Sequence, residues 1–137
     1  MQVNGLLHHI EIYVSNLEKS TIFWGWLLTE IFEYKEVSRW AEGISFKFGL
    51  TYLVFVQTEP KYLPNNYHRK NTGLNHLAFH CESAEFVNNL TDLLIQKNIP
   101  ILYPDMHPYA GGKGYYAVFF EDPDRMKVEV VASFPKL

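Results

Sequence analysis

The sequence predicts an α+β fold made of two tandem modules, each with the element order βαβββ. The chain repeats itself: when the segment around His9 is laid on the segment around His76, the apolar positions coincide. The same alignment extends into the stretch that follows, where Ser20 falls on Val87. In both copies a stretch of alternating apolar residues precedes a stretch with apolar residues at helical spacing. We therefore expect one supersecondary unit to occur twice.

Length and composition support a compact protein. The chain has 137 residues, of which 47% are hydrophobic and 16% aromatic, enough for a sizeable core. We expect a single domain over residues 1–137, with module 1 at about 5–58, a linker at about 59–72 and module 2 at about 73–134. The linker is predicted from its proline, asparagine and charged residues.

Charge and cysteine content exclude several classes of function. The formal net charge is -3, so no broad basic surface is available to bind nucleic acid. The single cysteine cannot form an internal disulfide, and no apolar run approaches the length of a membrane helix. The chain opens without a basic segment followed by an apolar run, so we expect a cytoplasmic protein with no membrane association.

Module 1 is predicted to begin with a strand over residues 6–14, where apolar and polar residues alternate. Ser15 and Glu18 have the spacing of a capping box, which predicts that a helix begins there and ends near residues 29–32. Strands are then expected over 32–37, 43–48 and 51–57.

Module 2 is predicted to follow the same plan, with a strand over 74–81 and a helix over 84–97 capped by Ser83. Further strands are expected at 101–103, 115–121 and 126–132. The loop 104–114 is rich in glycine, proline and tyrosine, which suits either the wall of a site or a plain connection.

Strand alternation places candidate metal ligands on the face that the core does not use. His9 shares its face with Glu11 and Tyr13, and Glu129 lies on the open face if its two valine neighbours pack on the helix. With His76, this gives two imidazoles and a carboxylate. Such a set suits a first-row divalent ion with open coordination positions, and iron, manganese, nickel, cobalt and zinc all fit it.

Three segments carry a resemblance to a known family: His9-Ile-Glu-Ile-Tyr-Val, Leu74-Asn-His-Leu-Ala-Phe and Phe120-Glu-Asp-Pro-Asp-Arg-Met-Lys-Val-Glu129. This pattern resembles the vicinal oxygen chelate superfamily, which includes glyoxalase I, fosfomycin resistance proteins, extradiol dioxygenases and bleomycin resistance proteins. The resemblance implies that the strands form a curved mixed sheet around a metal-binding cleft, with His9, His76 and Glu129 as ligands. It also implies a homodimer with sites shared between chains.

The pattern departs from glyoxalase I at one position. Glyoxalase I has a fourth ligand, a carboxylate on the last strand of its first module, and matching residues 52–57 to 126–131 places Phe55 opposite Glu129. We therefore expect no fourth ligand, which disfavours the glyoxalase reaction itself. The uncharged residues expected on the cleft side, Tyr109, Ala117 and Phe119, disfavour a phosphonate substrate.

The resulting hypothesis is a glyoxalase-like, divalent-metal-dependent enzyme acting on a small oxygen-chelating substrate by lyase, isomerase, transferase or dioxygenase chemistry. Glu129 is the candidate catalytic residue, as ligand and base. The candidate substrate-binding residues are Glu11, Tyr13, His80, Tyr115 and Phe119. The alternative is a small-molecule binding protein of the bleomycin resistance type, without catalysis.

Overall fold

The computed structural model describes residues 3–133, which form two compact units that meet in sequence between Asn66 and Tyr67. This boundary lies inside the predicted linker. Each unit contains one mixed sheet and one long helical segment, so the α+β class and the two-module organisation are confirmed. Within residues 3–133, no helix is long and apolar enough to cross a membrane.

Module 1 contains the elements β1 (His9–Val14), α1 (Leu17–Gly25), β2 (Lys35–Trp40), β3 (Gly43–Phe48) and β4 (Thr51–Gln57). Its strands form one sheet in the order β1-β4-β3-β2, in which β1 is parallel to β4 and the other pairs are antiparallel. A π-helical turn, Trp26–Ile31, continues the first helix, and a short 3-10 helix, Pro60–Tyr62, follows the sheet.

The helix of module 1 begins one residue later than its sequence pattern predicts. The cap is Asn16, whose side-chain oxygen accepts a hydrogen bond from the Lys19 amide at 3.0 Å, so the prediction of Ser15 as the cap is wrong. The Ser15 carbonyl instead accepts a hydrogen bond from the Gln57 side chain at 2.9 Å. This bond ties the start of the helix to the end of β4.

The core of module 1 lies between the helical segment and one face of the sheet. Trp24 is fully buried, and its ring stacks on that of Phe55 with 4.9 Å between the ring centroids.

At the far edge of the sheet, β2 begins three residues later than predicted. All six of its residues are exposed, and its pairing with β3 is irregular between Glu36 and Ser38.

Module 2 contains the elements β5 (His76–Cys81), α2 (Ala84–Gln96), β6 (Ala117–Glu121) and β7 (Lys127–Ala132). Its strands form a sheet in the order β5-β7-β6, with β5 parallel to β7. Ser83 caps the helix as predicted, because its hydroxyl accepts a hydrogen bond from the Phe86 amide at 3.1 Å. The strand predicted over 101–103 is only an isolated bridge between Ile101 and Phe120.

The long loop of module 2, which covers residues 97–116 in the structure, packs on the sheet face opposite α2. Two of its residues, Leu102 and Ala110, pack against three buried residues of β6 and β7, namely Ala117, Phe119 and Val131. The Tyr103 ring also meets the Phe119 ring edge to face, with 5.7 Å between the centroids. The loop therefore covers part of the face that carries Glu129.

Candidate metal centre

Glu129 is a buried carboxylate at the centre of the module 2 sheet. It lies on the middle strand, paired with Ala78 on one side and Phe119 on the other, and it is only 3% exposed. It lies on the sheet face opposite the helix, as predicted, but this face is not open at Glu129, because the long loop covers this part of the sheet. A buried carboxylate requires partners that compensate for its lost hydration.

Both oxygens of Glu129 have a partner. The Tyr115 hydroxyl donates a hydrogen bond to Oε2. On the other side, Oε1 lies 3.3 Å from Nε2 of His76, whose side chain is 34% exposed. Two of the three predicted ligands, His76 and Glu129, are thus brought together within module 2.

The orientation of the His76 ring is set by Asn75. The Asn75 amide nitrogen donates to the Arg69 carbonyl at 3.3 Å, which directs the amide oxygen, Oδ1, towards the imidazole. His76 Nδ1 lies 2.7 Å from that oxygen. Because an amide oxygen can only accept, Nδ1 carries the hydrogen in this bond. Asn75 therefore leaves Nε2 of the neutral ring with a lone pair.

This arrangement places two potential metal-ligand atoms side by side. His76 Nε2 and Glu129 Oε1 are 3.3 Å apart. In a neutral imidazole with its hydrogen on Nδ1 both atoms are acceptors, whereas a protonated ring forms an ion pair with Glu129 through Nε2. The neutral pair is satisfied by a shared proton or by a cation. Imidazole nitrogen and carboxylate oxygen are both ordinary ligands of first-row divalent metals, and a second hydrogen bond that fixes the ring is typical of metal-binding histidines. The donor chemistry of the pair therefore fits a metal ion.

Tyr115 is held against the backbone of the long loop. A Cβ atom added to Gly111 would lie 2.7 Å from Cε1 of the Tyr115 ring and closer still to Cδ1, so only glycine leaves room for the ring. The hydrogen bond to Glu129, with smaller contributions from burial and from the negative charge of Glu129, raises the pKa of Tyr115 to about 12. The phenol is consequently a stable hydrogen-bond donor at neutral pH.

The remaining predicted residues of module 2 have different surroundings. His80 is exposed on the same strand face as His76, and its Nδ1 is hydrogen-bonded to Ser133 Oγ at 2.7 Å. Phe119 is buried in the apolar cluster under the long loop. Contact of either residue with a substrate stays a prediction.

His9 occupies the corresponding place in module 1. It starts β1 as His76 starts β5, and its ring stacks on Tyr52 with 4.6 Å between the centroids. Its Nδ1 lies 2.9 Å from Nδ1 of His8, so the two imidazoles interact directly. Glu11 and Tyr13 follow on the same strand face, and both are exposed.

The strand register corrects the residue that corresponds to Glu129 in module 1. His9 pairs with Tyr52, as His76 pairs with Lys127, so the residue equivalent to Glu129 is Val54. The prediction of Phe55 was wrong by one position, and a slip of one residue moves a side chain to the opposite face. Valine has no metal-binding group, so this position, too, lacks the carboxylate that would be a fourth ligand.

Across residues 3–133, no group of three or more histidine, cysteine, aspartate or glutamate side chains is arranged to hold an ion. The structure thus provides a pair, His76 and Glu129, and the role of His9 as third ligand stays a prediction. Sequence reasoning missed Asn75 and Gly111 as supports of the pair. An amide residue directly before His76 and a glycine in the loop before Tyr115 were the available signals.

Comparison with protein families identifies the group to which this fold belongs. The model of the Glyoxalase/Bleomycin resistance protein/Dioxygenase superfamily matches residues 6–130, which includes both modules. The chain belongs to this superfamily. An uncharacterized protein of Bacillus subtilis strain 168, YqjT, is 56% identical over 126 residues, covering 92% of this chain and 98% of that protein.

Solved structures give the same result. A crystal structure from Bacillus halodurans, provisionally named a glyoxalase, is 55% identical, covers 94% of this chain and 96% of its own, and has a TM-score of 0.92. The fosfomycin resistance protein FosX of Listeria monocytogenes is 19% identical, with coverages of 96% and 92% and a TM-score of 0.63. At this identity the likeness to FosX extends to the fold only.

Proposed function

We propose that this member of the superfamily is a divalent-metal-dependent enzyme that acts on a small substrate through two neighbouring oxygens. The observation that supports the proposal is the contact of two potential ligand atoms, His76 Nε2 and Glu129 Oε1, which lie 3.3 Å apart. A bound divalent cation would satisfy both atoms and would supply Lewis-acid polarisation of the substrate oxygens. This pair is compatible with lyase, isomerase, transferase and dioxygenase chemistry.

The residues of the chain have separate tasks in this proposal. Asn75 fixes the imidazole so that Nε2 is the ligand atom, and Tyr115 keeps the second oxygen of Glu129 occupied. Glu129, the buried carboxylate of the site, is the proposed ligand through Oε1, and its predicted role as a base would require Tyr115 to release Oε2. Glu11, Tyr13 and His80 are proposed to orient the substrate, since they share strand faces with His9 or His76.

We propose His9 as the third ligand, supplied by the same chain or by a second copy in a cytoplasmic homodimer. The support is its equivalence to His76 in the module repeat, together with its exposure. In the alternative function, a binding protein without catalysis, the chain would not need an ion to bind its ligand.

Metal content tests the proposal directly. Protein purified without chelators is expected to hold one divalent ion per chain, measured by elemental analysis, and Glu129→Gln and His76→Ala are expected to lose it. Glu11→Gln removes one charge from an exposed strand position and is the matched control. Wild-type metal content in both His76→Ala and His9→Ala would refute the assignment and favour the binding protein.

Mixing two variants, each of which lacks one proposed metal ligand, tests whether sites are shared between chains. His9→Ala and Glu129→Gln chains are unfolded, mixed and refolded together, with each variant alone as the control. If each site takes His9 from one chain and His76 and Glu129 from the other, a mixed dimer holds one intact site and the mixture regains metal. If every chain supplies its own three ligands, the mixture binds no more than the separate variants.

A further inference from the structure

Tyr115 and Gly111 form a unit with Glu129 that the predicted substrate-binding role of Tyr115 does not explain. The phenol donates to Oε2 of the carboxylate, whereas a group that binds substrate would be expected to leave its hydroxyl accessible to it. The ring lies against Gly111, which has no side chain to obstruct it. The Gly111 φ is not in the left-handed region, so glycine is required at this position by the nearby Tyr115 ring and not by the backbone conformation.

The two oxygens of Glu129 are thereby distinguished. Oε2 is occupied by the phenol, and Oε1 is directed to His76 Nε2. A carboxylate with both oxygens available can bind an ion through either or both, and a bidentate carboxylate uses one more coordination position. A carboxylate held as this one is presents a single oxygen next to the imidazole.

The loop that carries Tyr115 is fixed on both sides of it. The Tyr115 amide donates to the Gly112 carbonyl at 3.1 Å, and the Ala117 amide donates to the Pro108 carbonyl at 3.0 Å. The neighbouring Tyr116 hydroxyl donates to Asn88 on α2 at 2.5 Å. The phenol of Tyr115 is therefore positioned by the loop, and not by Glu129 alone.

We propose that Tyr115 is a positioning residue that restricts Glu129 to binding the ion through Oε1 alone, and that Gly111 is required to seat the Tyr115 ring. This inference rests on the proposed function. It assigns a purpose to the long loop: the loop covers the sheet and also determines how many coordination positions stay open for a substrate.

Metal affinity and spectroscopy of the Co²⁺ form test the inference. Tyr115→Phe is expected to weaken Co²⁺ binding by about 10-fold to 100-fold, the usual effect of losing a partner of a metal ligand. The visible absorption of bound Co²⁺, which depends on coordination number, is expected to change. Gly111→Ala should produce the same changes, and the double variant should show no further loss, because both substitutions remove one interaction.

Two matched controls accompany these variants. Tyr116→Phe removes the adjacent phenol hydroxyl, which does not contact Glu129, and Gly25→Ala adds a methyl group where the nearest atom outside the helix would be 3.9 Å away. Both should retain wild-type affinity and spectrum. Circular dichroism of each variant verifies the fold, and Tyr115→Phe suffices if Gly111→Ala does not fold.

The results separate the inference from the proposed function. If wild-type protein binds Co²⁺ and Tyr115→Phe binds it with the same affinity and spectrum, the inference is wrong while the proposed function stands. Equal losses in Tyr115→Phe and Tyr116→Phe would also overturn it, because they would indicate a general effect of the loop. If the wild type binds no divalent ion, the proposed function itself fails, and the inference fails with it.

Discussion

Replacing Glu129 by glutamine is expected to stabilise the metal-free protein while abolishing metal binding. In the wild type, Oε1 lies 3.3 Å from Nε2 of His76, and the carboxylate is 3% exposed. Under conditions in which the imidazole is neutral with its hydrogen on Nδ1, both of these atoms are acceptors. The glutamine side chain can keep an oxygen next to the Tyr115 hydroxyl and place its amide nitrogen towards His76. An unfavourable pair of acceptors then becomes a hydrogen bond.

The expected gain is about 1 kcal/mol in the free energy of unfolding, the usual net value of one intramolecular hydrogen bond. For a domain of this size this corresponds to a rise of about 4 °C in the melting temperature. Saturating metal changes the sign of this difference in the free energy of unfolding, because an ion at 100 times its Kd stabilises the wild type by about 2.7 kcal/mol and the variant is expected not to bind it. The order of stability of the two proteins should therefore reverse when metal is added.

Urea unfolding followed by circular dichroism, with chelator and then with metal, measures both differences. The experiment is done at about pH 8.5, where imidazoles are ordinarily neutral. Glu11→Gln, the same substitution at an exposed strand position, should change stability by less than about 0.5 kcal/mol in either condition. A loss of stability in metal-free Glu129→Gln would refute the description of the pair as two facing acceptors.

Three further predictions concern the scaffold. The Ser20 hydroxyl is buried with no hydrogen-bond partner among the described residues, so Ser20→Ala should raise the free energy of unfolding by about 1 kcal/mol in urea titrations; a loss would indicate an unseen partner. Asn16→Ala should lower it by about 1 kcal/mol through loss of the helix cap, and an equal or larger loss in Ser15→Ala would contradict this. Burial raises the pKa of the Cys81 thiol, so less thiolate is present at a given pH. A disulfide reagent should therefore react slowly with folded protein at about pH 8 and rapidly in denaturant, and fast reaction without denaturant would contradict the burial.

The two-module fold could be predicted because repetition and periodicity are properties of whole segments. Predictions for single residues were less accurate. Ser15 was predicted as the helix cap, but the next residue, Asn16, is also a good capping residue and accepts the hydrogen bond from the Lys19 amide. The alignment of β4 with β7 was wrong by one residue because Val54 and Phe55 are both apolar, so their pattern does not reveal which of them faces the helix.

The candidate site was predictable in part for a similar reason. His76 and Glu129 were found because titratable residues stand out in apolar strands. Their supports, Asn75 and Gly111, are ordinary residues of turns and loops, and their role depends on a specific distance to the ligand or to its partner. The burial of Glu129 was also missed, because the sequence does not specify which sheet face the long loop covers.

The exposed edge strand of module 1 has a consequence for self-association. A strand with free backbone donors and acceptors on one side can recruit a strand from another molecule and begin a fibrous aggregate. β2 carries features that discourage such growth, namely Lys35, the ion pair between Glu36 and Arg39 at 2.8 Å, and the irregular pairing after Glu36. Residues that contribute little to the core therefore help to keep the sheet from extending beyond its own chain.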